Sequence, residues 1–270
     1  MEYSTSLFPW NDFNRDVHRV DPEYVSIIIS HYSNIDDFGE KRADGWSGIY
    51  GEKKSRSDLI RKCLTSLEEN TDFPAEIIVV DNGGNPDDSD YLVSMARKGT
   101  INTYIRNKNN MHFGWAWNQG IALATSKTIC LTCNDIFFKP NWLSKTMEAY
   151  KADFNRKFLA TPFITPDKTK GKNPRGNLGE FRLNSMAGSN CMIMQKEDYF
   201  SIQPMTTYHI AGSHWHRRMN KKGYLVIAPK EDYAEEMSFR QGLNIRQPVE
   251  VKMDLLDKTK IDFSFILKKK

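Results

Sequence analysis

Two kinds of apolar pattern alternate over residues 24–150. Short runs rich in β-branched residues, at 25–30 and 76–80, are typical of strands that are buried on both faces. Between them, apolar residues recur at helical spacing over 57–67, behind Ser57, a residue type that caps helices. Further elements are predicted in the same alternation: a helix at 90–97, a strand at 101–105, a helix at 114–125 and a strand at 128–132. This order predicts an α/β protein, a single three-layer domain around a mainly parallel, mixed central sheet.

The pattern is less regular in the second half of the chain. Pro140 suits the first turn of another helix, and a loop rich in Gly, Pro and Lys is predicted over 167–182. A helix is predicted over 213–222, with Ser213 as its cap and Gly223 as its stop. Short strands are predicted at 190–194 and 225–228.

Composition narrows the class of protein. Hydrophobic residues make up 39% and charged residues 27% of the 270, which is typical of a globular protein and not of a disordered one. No apolar run approaches the roughly 20 residues of a membrane helix, and the first residues show no signal-peptide pattern. Four cysteines are too few for a disulfide scaffold, so we expect a reducing, cytoplasmic compartment, the host cytoplasm if the protein is viral. Cys130 and Cys133 would lie on opposite faces of one strand, which disfavours a shared metal ion.

The small net charge of +4 conceals an uneven distribution. Residues 1–100 hold 11 basic and 19 acidic side chains, for a net charge of −8. Residues 101–270 hold 27 basic and 15 acidic side chains, for a net charge of +12. We therefore expect any anionic partner to be attracted by the second half of the chain.

Polar residues follow three of the predicted strands: Ser30-His31-Tyr32, Asp81-Asn82 and Asn134-Asp135. Ligands of such sheets bind beyond the carboxyl ends of the strands, so we expect these residues to form one site. There Asp81 would accept hydrogen bonds from a base or ribose, and Asp135 would hold a divalent cation that neutralises a diphosphate. Each residue taken alone would more readily be a turn or loop cap, and it is the occurrence of all three sets at strand ends that favours a site. The chain has neither a GxGxxG nor a Walker A pattern, which disfavours dinucleotide-binding folds and P-loop enzymes.

Four successive segments resemble a family 2 glycosyltransferase of the GT-A fold. They read VSIIISHYSN, EIIVVDNGG, NMHFGWAWNQGIALA and ICLTCNDIFFKPNWL. The resemblance covers residues 24–150 well and continues more weakly to about residue 230. It implies transfer of a sugar from a nucleotide-diphosphate donor, with uridine as the expected nucleoside, to an acceptor hydroxyl.

The resemblance also implies the donor-site residues. Tyr32 and Asp81 would hold the base with help from Asn82, and Asn118 would lie near the donor. Asp135 matches the last Asp of the family's DxD motif, so it would be both a catalytic residue and the ligand of Mn²⁺ or Mg²⁺. Ser30 and Asn134 complete the set as donor-binding residues. In this chain Cys133 stands at the first position of the triplet, so we expect weaker metal affinity.

A second departure concerns the general base. The family's Glu-Asp pair, which supplies that base in inverting members, falls on Ala211 and Gly212. Three interpretations remain open. In the first, His214 is the base. In the second, the enzyme is retaining and the donor diphosphate itself takes the proton. In the third, the chain binds its ligands without catalysing a reaction. A helix N-terminus disfavours imidazolium, so His214 would keep a neutral acceptor nitrogen there. His209 and His216 are rival bases.

Basic residues of the second half suggest an anionic acceptor, although a solvated surface is the plainer reading. The candidate acceptor-binding residues are Lys170, Lys172, Arg175, Arg217 and Arg218. Nucleic acid would fit these charges, including DNA with hydroxymethylated bases, and so would an anionic polysaccharide or a lipid diphosphate.

These observations predict a division of the chain and a function. We expect an extension over 1–23, a nucleotide-sugar-binding half over 24–135, an acceptor-binding half over 136–245 and a tail over 246–270. The predicted activity is metal-assisted glycosyl transfer to a nucleic acid or an anionic glycan. The alternatives are an inactive module that binds nucleotide sugar or nucleic acid, and a nucleotidyltransferase-like enzyme.

Overall fold

The structure is a computed structural model. It describes residues 23–33, 57–111, 113–152, 157–164, 174–184, 191–202, 204–205 and 211–237. The strands are β1 Val25–His31, β2 Ala75–Asp81, β3 Thr103–Arg106, β4 Thr128–Cys133, β5 Ile136–Phe138, β6 Phe158–Ala160, β7 Pro174–Leu178, β8 Phe181–Asn184, β9 Cys191–Gln195, β10 Leu225–Ala228 and β11 Ala234–Glu236. The helices are α1 Ser57–Asn70, α2 Pro86–Lys98, α3 Phe113–Leu123, α4 Trp142–Tyr150, α5 Lys196–Ile202 and α6 Ala211–Lys221.

Nine of these strands form one mixed sheet in the order β3-β2-β1-β4-β9-β6-β10-β8-β7. The first four in that order are parallel to one another, and β9 joins β4 in antiparallel pairing. On the far side, β10 is parallel to β6 and antiparallel to β8. Strands from residues 24–135 therefore occupy one side of the sheet, and strands from later residues occupy the other. A separate two-stranded sheet pairs β5 with β11.

Helices cover both faces of the sheet, as the alternation of buried residues along β1 shows. Ile27 and Ile29 pack into one apolar cluster, together with residues of α1, α2 and α4. Ile28 packs into the other cluster, with Trp117 of α3 and Trp215 of α6. All three isoleucines are fully buried. The three-layer α/β architecture predicted from the sequence is confirmed.

Helix α3 lies unusually close to the sheet, because Gly120 faces β1. A Cβ atom at Gly120 would lie 2.3 Å from Ile28 Cγ2 and 3.5 Å from Val80 Cγ2. Only a residue without a side chain allows this approach. This contact packs α3 directly against β1 and β2, the strands that lead to the candidate site.

Most of the predicted elements are present, and three local predictions are wrong. The segment 167–182 is not a continuous loop, because β7 and β8 form an antiparallel pair within it. Ser213 lies inside α6, which begins at Ala211, so it is not the cap. Pro140 precedes α4, whose N-cap is Asn141, so it is not in the first turn.

The sequence predicts Cys130 and Cys133 on opposite faces of one strand, and the structure places them so. Cys130 belongs to one apolar cluster and Cys133 packs against the other, so the two thiols do lie on opposite faces of β4. Among the described residues there is no group of three or more His, Cys, Asp or Glu side chains that could hold a metal ion. No helix in the described part of the chain has the length and apolarity needed to cross a membrane.

Candidate active site

The three polar strand ends predicted from the sequence lie side by side. His31 is paired with Asp81 in the register of β1 and β2, and Ser30 is paired with Cys133 in the register of β1 and β4. The backbone N–H of Asn82 donates to the carbonyl of His31 over 2.7 Å. The parallel register therefore brings all three sets to the same edge of the sheet, where such folds bind ligands.

Asp81 is fully buried and its carboxylate is held by three donors. Oδ1 accepts from the backbone N–H of Gly84 over 2.7 Å. Oδ2 accepts from the hydroxyls of Ser89 over 2.5 Å and Tyr104 over 2.8 Å. Burial raises the pKa of the Tyr104 hydroxyl, and its hydrogen bond to Asp81 raises it further, so the tyrosine remains a donor. Asp81 thus joins β2, β3 and α2 at the edge of the site.

Asn82 organises the loop between β3 and α3. Its side-chain oxygen accepts from Asn107 Nδ2 over 3.1 Å and from the backbone N–H of Met111 over 2.9 Å. Its Nδ2 donates to Asn110 Oδ1 over 2.9 Å. A further pair of amide hydrogen bonds joins Asn107 to Gln119 of α3. The loop is therefore tied at both ends, to β2 and to α3.

Asn134 and Asp135 form the turn between β4 and β5. The Asn134 side-chain amide lies 2.9 Å from Nδ1 of the buried His31. Ser30 is almost fully buried, and Tyr32 is partly buried. The residues predicted to bind the donor at the ends of β1 and β4 are therefore joined by a direct side-chain contact.

Two carboxylates influence the thiol of Cys133. Burial raises its pKa well above the ordinary value, and the charges of Asp135 and Glu236 raise it further. Glu236 is close because β11 pairs with β5, and the N–H of Met237 donates to the Asp135 carbonyl over 2.7 Å. In the free protein Cys133 is therefore a neutral thiol, and the negative charges beside the triplet are those of Asp135 and Glu236.

Glu236 is a residue that sequence reasoning did not find. It lies about a hundred positions from the DxD-like triplet, in a three-residue strand with little apolar signal. Only the antiparallel pairing of β11 with β5 brings it to this edge. No local pattern in the sequence marks that pairing.

The carboxylates at this turn suit a hard divalent cation, provided that a diphosphate supplies further oxygen ligands. Mg²⁺ is usually bound through one or two carboxylates together with the phosphates of a substrate, and it keeps several waters. Asp135, with the charge of Glu236 nearby, provides such a partial set. The residues therefore fit a cation that would bind jointly with a diphosphate, and Asp135 would be its protein ligand.

Asn118 is engaged in contacts between helices. Its Nδ2 donates to the carbonyl of Met205 over 3.1 Å, and its Oδ1 accepts from the Tyr199 hydroxyl over 2.7 Å. The same hydroxyl accepts from the N–H of Met205 over 2.9 Å. Gly114 allows this approach, because a Cβ there would lie 2.8 Å from the Met205 carbonyl. Asn118 thus joins α3 to Tyr199 of α5 and to the segment at Met205 that follows it.

The predicted base and acceptor residues are only partly described. His214 lies in the first turn of α6, and its side chain is outside the described part. The same holds for the side chain of Arg175 in β7, while Lys170, Lys172 and His209 lie outside the described residues altogether. His216 is buried, with its ring at right angles to that of Trp215. Arg217 is exposed and Arg218 is partly buried.

Comparison with solved structures identifies the class of fold. A mannosyltransferase from Pyrobaculum calidifontis, PcManGT, in complex with GDP-Man and Mn²⁺, matches with a TM-score of 0.59 at 16% identity, over 83% of this chain and 59% of that chain. GalNAc-T7 with UDP, GalNAc and Mn²⁺ matches with a TM-score of 0.55 at 12% identity, over 78% of this chain and 43% of that chain. This chain thus spans about half the length of these proteins. The fold is a GT-A fold.

The sequence identifies the family. The model of glycosyl transferase family 2 matches residues 49–225. That span includes most of the described elements, from α1 to the beginning of β10. The chain therefore belongs to glycosyl transferase family 2. No curated protein matches the chain significantly in sequence.

Proposed function

We propose that this protein transfers a sugar from a UDP-sugar to an acceptor hydroxyl with the help of a divalent cation, Mn²⁺ or Mg²⁺. The observation that carries the proposal is the alignment of the ends of β1, β2 and β4, which places Asp81, Asn134 and Asp135 at one edge of the sheet. Membership of the family supports glycosyl transfer. The two solved neighbours were determined with GDP-Man or UDP and with Mn²⁺, which supports a nucleotide-sugar donor.

The roles of the donor-site residues follow from their chemistry. Asp135 would hold the cation, whose chemistry is to neutralise the charge that develops on the leaving diphosphate. Tyr32 and Ser30 lie at the end of β1 and would contact the nucleoside. Asp81 and Asn82 already hold the turn at 82–85 and the loop at 107–111 in place. These two residues would shape the pocket through that backbone, and Asp81 would reach a base by giving up one of its three donors.

We propose His214 as the general base. It belongs to the first turn of α6, and the backbone N–H groups of a helix N-terminus in general disfavour a positive charge on a ring placed there. A neutral imidazole has an acceptor nitrogen that can take the proton of the acceptor hydroxyl. His216 is a weaker candidate because it is buried. If the product retains the donor's anomeric configuration, the proton goes to the diphosphate and His214 has no such role.

We propose an anionic acceptor that approaches α6. This helix has no acidic residue, and Arg217, Lys221 and the following Lys222 are exposed. Such a face attracts polyanions through counterion release, and the attraction weakens with salt. DNA with hydroxymethylated bases and anionic glycans both combine negative charge with free hydroxyls. They are the two acceptors to test first.

A module that binds without turnover is a second candidate function. It is favoured by one observation: Ala211 and Gly212, the first two residues of α6, stand where the family has an acidic pair. Such a protein would bind the donor and catalyse neither transfer nor hydrolysis. A nucleotidyltransferase would instead release pyrophosphate from a nucleoside triphosphate.

A panel of nucleotide sugars with Mn²⁺ tests the proposal. Release of UDP is measured for each donor, alone and with hydroxymethylated DNA, unmodified DNA or an anionic glycan. The proposal expects one UDP-sugar to be turned over, with stimulation by an acceptor that carries hydroxyls and negative charge. Asp135→Asn should lower the rate by about a thousandfold, since cation stabilisation is worth several kcal/mol. Donor binding with no turnover under any condition would favour the binding module.

A further inference from the structure

His31 is a buried polar residue to which the proposed mechanism gives no role. It is the last residue of β1, between Ser30 and Tyr32, and its side chain has no exposed surface. A buried imidazole is costly unless its nitrogens face polar partners. Its two ring nitrogens face different parts of the site.

The Nδ1 atom of His31 faces the turn that carries Asp135. The amide nitrogen of Asn134 lies 2.9 Å from it. An amide NH₂ can only donate, so Nδ1 accepts and the ring hydrogen lies on Nε2. This contact crosses 103 positions of the chain and is a direct side-chain link between the end of β1 and the turn after β4. It fixes the orientation of the Asn134 amide, next to Asp135.

The Nε2 atom of His31 faces the beginning of α2. It lies 3.3 Å from Asp88 Oδ2, and both side chains are fully buried. Asp88 is itself fixed by Asn85, whose Oδ1 accepts from the Asp88 N–H over 2.9 Å and whose Nδ2 donates to Oδ2 over 3.1 Å. This is a reciprocal cap at the N-terminus of α2. The ring of His31 therefore packs beside this cap, in contact with Asp88 and without a hydrogen bond to it.

The turn after β2 leaves no room for the ring to move. A Cβ atom at Gly84 would lie 3.0 Å from His31 Nε2 and 2.8 Å from Asp81 Oδ1. The backbone of Gly84, held by Asp81, thus closes over the imidazole. His31 lies between the β2 turn, the α2 cap and the Asn134–Asp135 turn.

We propose that His31 is a positioning residue that fixes the Asn134–Asp135 turn for joint binding of the cation and the donor diphosphate. The inference rests on the proposed function, because it assumes that Asp135 is the metal ligand. Residues that orient metal ligands typically change metal affinity by about 10- to 100-fold when they are substituted. His31 would act through Asn134 and touch neither the cation nor the donor.

Two substitutions separate positioning from folding. His31→Asn keeps an acceptor oxygen close to the position of Nδ1, whereas His31→Leu fills a similar volume without any polar group. Ser26→Ala is the matched control, because Ser26 is also a fully buried polar residue of β1. The substitution removes its hydrogen bonds with Glu76 and Ser126, which lie at the opposite end of the strand from the site. Each variant is compared with the wild type for thermal stability before any other measurement.

Two measurements then test the proposal. The first is hydrogen exchange of the backbone amides of residues 134–136, without metal or nucleotide. The second is the Mn²⁺ concentration for half-saturation in the presence of UDP, followed by electron paramagnetic resonance. We expect His31→Leu to speed the exchange and to raise the Mn²⁺ concentration about tenfold. His31→Asn should restore both toward the wild type, and Ser26→Ala should change neither.

The outcomes distinguish this inference from the function on which it depends. Wild-type exchange rates and wild-type Mn²⁺ affinity in His31→Leu would overturn it, and so would a His31→Asn variant that folds but resembles His31→Leu in both measurements. Failure of the wild type itself to bind Mn²⁺ with UDP would instead overturn the proposed function. In that event the exchange rates still report whether His31 fixes the turn.

Discussion

Asp81→Asn removes the charge from a buried carboxylate that accepts three hydrogen bonds at the edge of the site. The asparagine oxygen can keep the N–H of Gly84, but an NH₂ group then replaces Oδ2, which accepts from Ser89 and Tyr104. The Ser89 hydroxyl has a second acceptor in the carbonyl of Asn85, 3.1 Å away. The variant therefore loses one to two hydrogen bonds to a buried charge, each worth about 1.5–3 kcal/mol. We expect the free energy of unfolding to fall by about 2–4 kcal/mol.

Urea unfolding of the unliganded protein measures this loss without any contribution from the donor. For a domain of this size, about 2–4 °C of melting temperature is lost per kcal/mol, which gives a second readout. Asp72→Asn is the control, because the exposed Asp72 accepts from the backbone N–H and the hydroxyl of Ser144, and water can replace these bonds. It should cost less than about 1 kcal/mol. Equal stability of Asp81→Asn and the wild type would refute the reasoning that this carboxylate holds the edge of the sheet together.

Three further predictions concern packing, pH and charge. Gly120→Ala should lower the free energy of unfolding by about 1–3 kcal/mol, as measured in urea, because the new Cβ would lie 2.3 Å from Ile28 Cγ2. This crowding costs more than the alanine gains in helix propensity. A variant more stable than the wild type would contradict the close packing of α3 on β1. Burial tends to raise the pKa of Glu76, but hydrogen bonds from Ser26 and from residues 125–126 lower it overall. The ionised Glu76 therefore stabilises the fold above its unfolded-state pKa, and this stabilisation is lost as the pH falls below about 4.5. We expect the difference in unfolding free energy between the wild type and Glu76→Gln to narrow from pH 7 to pH 3. A difference that stays constant over this range would contradict the lowered pKa of Glu76. Arg217→Glu should weaken acceptor binding and reduce the salt dependence of that binding, while donor binding stays unchanged, as measured by titration at two salt concentrations. An unaltered salt dependence would exclude the exposed face of α6 as the acceptor-binding surface.

The sequence predicted the parts of the fold that repeat a strong local pattern. The β-branched runs became β1 and β2, and the helical spacing behind Ser57 became α1. The polar residues at the strand ends also came together as expected, because parallel strands in register must end at the same edge. These features depend on periodicity and on one general property of parallel sheets.

The features that the sequence did not predict depend on contacts between distant segments. The pairing of β7 with β8 directly follows a Lys-rich stretch, and the apolar alternation of a strand is weak within β7. The pairing of β11 with β5, which brings Glu236 toward Asp135, has no local signal. The contacts of His31 with Asn134 and Asp88 could not be predicted either, because they depend on how the strands and α2 are arranged.

The most direct test of the account is Mn²⁺ binding in the presence and absence of UDP. The site offers Asp135 with only partial support from other carboxylates, so a cation should bind weakly to the free protein and much more tightly once a diphosphate supplies oxygen ligands. By linkage, Mn²⁺ should raise the affinity for UDP by the same factor. We predict that UDP tightens Mn²⁺ binding by at least tenfold in the wild type and that Asp135→Asn abolishes this effect while the protein stays folded. UDP binding that is insensitive both to Mn²⁺ and to the Asp135 substitution would contradict the account.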